Sequence, residues 1–133
     1  MVMANAYQKY NAQKVVTANP VTLIVMLYDG CIKQLKLAQL AIDKKDYEAT
    51  NNHMKKAQDI VSELLNSLDL RFPVSKELMS LYDFMLREMR RINAVKKRDD
   101  IDPLIDMLSG LRDTWAQVEK MYRPDEYMED AES

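Results

Sequence analysis

The chain of 133 residues is 47% hydrophobic and 30% charged, the composition of one folded domain long enough to bury a core without metals or disulfides. Its 19 basic and 21 acidic residues leave a formal net charge of −2, so there is no cationic excess to neutralise nucleic-acid phosphates. Two glycines and four prolines are too few to punctuate a β-rich fold, and the one cysteine, Cys31, cannot form an internal disulfide.

Residues 1–18 form an arm with Tyr7, Tyr10, Val15 and Val16 among polar residues and no helix-start signal. Met1–Tyr10 lacks the basic and apolar regions of a signal peptide, which points to the cytoplasm. Two aromatics in the arm suggest that it lies on apolar surface and is displaced when a partner binds.

The first helix opens at Asn19-Pro20, an N-cap residue followed by a proline where the missing N–H costs nothing, and runs to about Asp43. Ile24, Leu27, Tyr28, Cys31, Leu35, Ala38 and Ile42 recur at three- and four-residue spacing as its core stripe. Its polar residues occupy only a narrow strip. Leu23, Met26, Leu37 and Ala41, with Gly30 among them, form a second apolar stripe. Either two neighbours bury this helix, or part of it is covered by another molecule. Its apolar stretch Val21–Tyr28 falls far short of the roughly 20 residues that span a bilayer.

A second helix is predicted over about 46–69, with Tyr47, Met54, Ala57, Val61, Leu64, Leu65 and Leu68 on its stripe. Phe72-Pro73 breaks the chain, and Ser75 is expected to cap a third helix to about Lys97. Asp102-Pro103 repeats the opening syntax of the first helix. A fourth stripe follows through Leu104, Met107, Leu108, Leu111, Trp115, Val118 and Tyr122, with Trp115 central. Arg123-Pro124 ends it, and residues 124–133 form an acidic tail carrying Asp125, Glu126, Glu129, Asp130 and Glu132. The short connections force an all-α, antiparallel up-down-up-down four-helix bundle over residues 19–123. Both glycines, Gly30 and Gly110, fall inside helices and off the core stripes, where each costs about 1 kcal/mol relative to alanine. Such a position suits close approach of another backbone. The ten methionines suit either a core or an adaptable binding surface.

No chemistry assembles from these residues. One histidine, His53, excludes a Ser-His-Asp triad and a di-iron bundle, and no phosphate-binding glycine run exists. No metal site and no cofactor are expected. Histidine phosphotransfer modules are also four-helix bundles, with Lys three and Gly four residues after the histidine; His53 has Lys56 but then Ala57. A basic cluster, Arg87, Arg90, Arg91, Lys96, Lys97 and Arg98, reads as a solvated face or a contact for an acidic partner.

Tyr7-x-x-Tyr10, Val16-Thr17-Ala18-Asn19-Pro20 and Leu23-Ile24-Val25-Met26-Leu27-Tyr28-Asp29-Gly30 together resemble the N-terminal signature of the flagellin export chaperones, the FliS family. Lys56-Ala57, Leu64 to Asp69, Leu81-Tyr82-Asp83-Phe84-Met85 and Leu111-Arg112-Asp113-x-Trp115 continue the resemblance in order to about residue 122. Asn19 stands where the family has a small hydroxyl residue, and Asn93-Ala94 reverses its usual dipeptide. The resemblance implies a cytoplasmic chaperone that binds the C-terminal segment of flagellin, keeps it unpolymerised and delivers it to the flagellar type III export apparatus. It extends the partners to the export gate and other flagellar assembly factors. An N-terminal cap would yield to the client. Partner binding is assigned to Tyr7, Tyr10, Leu23, Met26, Leu27, Gly30, Leu37 and Ala41. No enzymatic activity, nucleic-acid partner or membrane insertion is expected. The alternatives are a structural bundle that forms a homodimer through the second stripe, and a phosphotransfer module using His53.

Overall fold

Four helices and a single 3-10 turn make up nearly all of residues 20–121, the part of the chain that the structure, a computed structural model, describes. They are α1 (Pro20–Asp43), α2 (Tyr47–Asn66), α3 (Pro73–Val95), the 3-10 turn Arg98–Ile101, and α4 (Asp102–Met121). The arm and acidic tail, with Tyr7 and Tyr10, lie outside the described residues.

Local chemistry sets the ends of these helices. Where α1 stops, the Asp46 N–H reaches back to the Ala41 carbonyl (2.9 Å) across Lys45, whose φ of 57° is left-handed. The Asp46 carboxylate then accepts the Ala49 N–H (3.1 Å) and caps α2. The Thr50 hydroxyl donates to the Asp46 carbonyl (2.9 Å), and Thr50 is buried. The start of α3 departs from expectation. Phe72 is extended (φ −94°, ψ 132°) and occupies the capping position, with Pro73 as the first helical residue. Ser75 therefore sits buried inside the first turn, its N–H donating to the Phe72 carbonyl (3.0 Å). Proline initiates this helix as it does α1, because its missing donor is one the first turn leaves unpaired anyway. At the far end of α3, Lys96 is also left-handed (φ 61°), and its ammonium binds the Asn51 side chain on α2 (2.6 Å).

These helices pack as an antiparallel four-helix bundle, and the packing is uneven. α1 lies between α2 and α4, α3 packs on the other side of α2, and α3 and α4 barely meet. The fully buried centre comprises Tyr28, Cys31, Leu35 and Ala38 of α1, Met54, Ala57 and Val61 of α2, and Tyr82, Met85 and Met89 of α3. Ile101, Leu104 and Leu108 complete it from the fourth arm. Each large aliphatic or thioether side chain buried here contributes about 1.5–3 kcal/mol. Flanking by α2 and α4 explains the narrow polar strip of α1. Met54, Met85 and Met89 are core residues, whereas Met79 and Met121 are exposed, so the methionines serve both uses.

Candidate partner-binding site

The sparse contact between α3 and α4 leaves an open cleft of about 260 Å³ at one end of the bundle. Ile24 of α1 and Leu64 of α2 form one wall, and Leu68 with Phe72 from the α2–α3 connection forms the rim. Val74, Leu78 and Tyr82 of α3 line the second wall, and Trp115 of α4 the third. At the base the Tyr28 and Tyr82 hydroxyls are hydrogen-bonded to each other in the core. The Trp115 indole lies close enough to the Tyr28 hydroxyl to donate to it. Burial pushes both phenols up from their ordinary range. Ser67, Asp69 and Ser75 also line this mostly apolar cleft, and the Tyr82 hydroxyl on its wall is satisfied by Tyr28 behind it.

Apolar surface continues outward from the cleft. Leu70, Phe72 and Val74 are each more than half exposed, at 56%, 58% and 54%. Leu81, Phe84, Glu88 and Arg91 share one flank of α3 by their spacing. Arg91 pairs with Asp100 (3.2 Å), just before α4, so this flank faces the open edge. Phe84 is exposed there. Exposed aromatics and aliphatics gathered around a cleft, as Phe72 and Val74 are here, are the pattern of a partner-binding face.

Other side chains singled out earlier have ordinary surroundings. The His53 Nδ1–H donates to Gln34 Oε1 (2.8 Å), tying α2 to α1, and partial burial lowers its pKa, helped by Lys56. Several members of the basic cluster are paired: Arg87 with Asp83, Arg91 with Glu88 and Asp100, and Arg98 with Asp43. Among the described residues, no group of three or more His, Cys, Asp or Glu is placed to hold a metal. No described helix is long and apolar enough to cross a membrane.

The sequence model of the family described as "Flagellar protein FliS" matches residues 3–122. The chain belongs to the FliS family. The "Flagellar secretion chaperone FliS" of Bacillus subtilis (strain 168) is 32% identical over 127 residues, covering 96% of each chain. That of Salmonella typhimurium is 29% identical over 117 residues, covering 85% of this chain and 87% of the relative. A solved structure titled "Crystal structure of flagellar chaperone from bacteria" superposes with a TM-score of 0.73 at 20% identity, over 90% of this chain and 98% of the other. That likeness supports the shared fold. The FliS relatives are named as chaperones.

Against this background, the FliS-family residues assigned to partner binding are not equivalent. Leu23, Met26 and Leu37 are half-buried on the outer side of α1, where some of their apolar surface remains accessible. Leu27 packs against the core cluster and Ala41 is buried at 7% exposure, so neither offers much surface. Gly30 faces α2: a Cβ built there would stand 3.5 Å from Ile60 Cδ1, an ordinary contact. Among the described residues its neighbour is a side chain of the same bundle, not a close backbone. Around Gly110 a Cβ would meet nothing within 4 Å among the described residues. The cleft at the bundle end had one signal in the sequence: Leu70, Phe72 and Val74 place apolar side chains in and beside a connection, where polar residues are the rule.

Proposed function

We propose that this chain is a cytoplasmic chaperone that binds the C-terminal segment of flagellin, keeps it from polymerising and delivers it to the flagellar type III export apparatus. The observation that carries this reading is the open, mostly apolar cleft between α3 and α4, with Phe72 and Val74 exposed along it, in a chain of the FliS family. An amphipathic client helix lays its apolar face in such a groove, and a client disordered before binding loses ordering entropy as it does so. The outer stripe of Leu23, Met26 and Leu37 is proposed as a second contact that the client reaches by wrapping around the bundle. The N-terminal arm with Tyr7 and Tyr10 is proposed to cover apolar surface until the client arrives.

Calorimetric titration with a flagellin C-terminal peptide tests this. The expected result is saturable binding near one-to-one, accompanied by a change in the fluorescence of Trp115, the only tryptophan. Phe72→Asp is expected to weaken binding at least about tenfold, because a carboxylate would be desolvated at the rim. Leu23→Asp reports separately on the outer stripe. No heat and no fluorescence change with the wild-type chain would overturn the reading, and a dimer indifferent to the peptide would favour a structural role.

A further inference from the structure

Along α4 the packing changes abruptly near its midpoint. Leu104 and Leu108 are buried at 2% and 0% exposure, and Ile101 just before them at 0%. Beyond Gly110, Leu111 and Trp115 are only half-buried, and Met121 is 76% exposed. The polar ties to other helices are more numerous at the start of α4 than beyond Gly110. Gln39 Nε2 donates to Asp102 Oδ1 (2.7 Å), Arg98 pairs with Asp43 (2.9 Å) and Arg91 with Asp100 (3.2 Å), so the α4 N-terminus is fastened to both α1 and α3. After Gly110, the polar ties to another helix among the described residues are the Arg112–Asp29 pair (2.9 Å), exposed and screened by solvent like the Arg98–Asp43 pair, and the approach of the Trp115 indole to the Tyr28 hydroxyl.

Gly110 itself stands at this boundary with open space where its Cβ would be, so no packing constraint in the described structure calls for glycine. Glycine inside a helix lowers the cost of departing from helical geometry. The Thr114 hydroxyl donates to the Gly110 carbonyl (3.1 Å), an i to i−4 bond that often accompanies helix bending. That hydroxyl also leaves the carbonyl with a donor when its amide hydrogen bond lengthens.

We propose that the C-terminal half of α4, Leu111–Met121, is a hinged flap over the end cleft, turning about the Gly110–Thr114 turn while Asp102–Leu108 stays fixed in the core. Trp115 is the flap residue that lines the cleft, and outward motion widens the gap to α3 without uncovering Leu104 or Leu108. The hinge is a property of the bundle alone and stands whether or not flagellin is the client.

Spin labels on the full chain test it, with the buried Cys31 left in place. The pair Lys76→Cys and Gln117→Cys spans α3 and the flap; Arg90→Cys and Asp106→Cys spans α3 and the fixed half. The first pair is expected to show a broad or two-component distance distribution and the second a single narrow one. Adding Gly110→Ala is expected to lower the open population about fivefold, narrowing the first distribution. Equal narrow widths at both pairs, or a first distribution untouched by Gly110→Ala, would overturn the proposal. Amide exchange separates hinging from unravelling: residues 112–121 should stay protected, and loss of that protection would mean the helix end melts and does not turn.

Discussion

Lys45 holds a left-handed conformation at the end of α1, where a β-carbon crowds the following carbonyl. Lys45→Gly is expected to raise stability by roughly 1 kcal/mol, read as a later midpoint in urea with unchanged slope. An unchanged midpoint would mean the lysine side chain contributes a compensating contact. Cys31 gives a pH prediction. Burial pushes its thiol from 9.0 up to about 12. Above pH 9 the unfolded thiol ionises while the folded one stays protonated, so the folded state binds more protons and loses stability as pH rises. The slope is about 1.4 kcal/mol per pH unit over that window. Tyr28 and Tyr82, also raised, add to the loss from about pH 10. Cys31→Ala is therefore expected to shift the onset of alkaline unfolding upward, followed by circular dichroism against pH. His53 works in the opposite direction: its lowered pKa makes acidification below about 6.5 mildly destabilising.

Among the helices, the prediction that best checks the fold concerns α4. Leu108→Ala removes a fully buried side chain and is expected to cost about 3 kcal/mol, whereas Leu111→Ala, half-buried beyond Gly110, should cost less than about 1.5 kcal/mol. Equal losses in chemical denaturation would contradict the burial gradient. At the start of α2, Asp46→Ala should cost about 1 kcal/mol through the lost cap. The caps also mark what sequence reading resolves. Pro20 and Asp102-Pro103 stand where the helix starts fall, because the preference of proline for the first turn is local; Asn19 lies outside the described residues, and the Asp102 carboxylate accepts from Gln39. Ser75 misled for the same reason: a hydroxyl in the right neighbourhood resembles a cap, but Pro73 two residues earlier already satisfies the geometry. Periodicity also identified the apolar stripes of α1, α2 and α4, including the buried Tyr28, Leu35, Met54 and Leu108.

For the whole molecule, the limit of that reading is depth. A stripe at helical spacing says which way Trp115 points, and it points inward as expected. How far it is covered depends on the distance between α3 and α4, two helices whose spacing is fixed by contacts made elsewhere, and no local pattern encodes that distance. The cleft was therefore illegible except through the odd apolar residues Leu70, Phe72 and Val74, while the outer stripe of α1 was visible because it lies within one helix. Gly30 illustrates the same point. Its place off the core stripe suggested an approaching backbone, but Ile60 reaches across from α2 to fill that side.

The central position of α1 also bears on how the chain folds. Its contacts with α2 are local and close through a connection of three residues, whereas its contacts with α4 join positions such as Asp29 and Arg112, 83 residues apart. Loop-closure entropy makes the second set slower to form than the first. The α1–α2 hairpin is thus the natural nucleus, and α3 adds to it before α4 has been synthesised. Until α4 docks, Tyr28, Leu35 and Ala38 have one side bare. A nascent chain held at that stage, stopped before residue 102, is expected to be helical yet sticky until the last helix covers that surface.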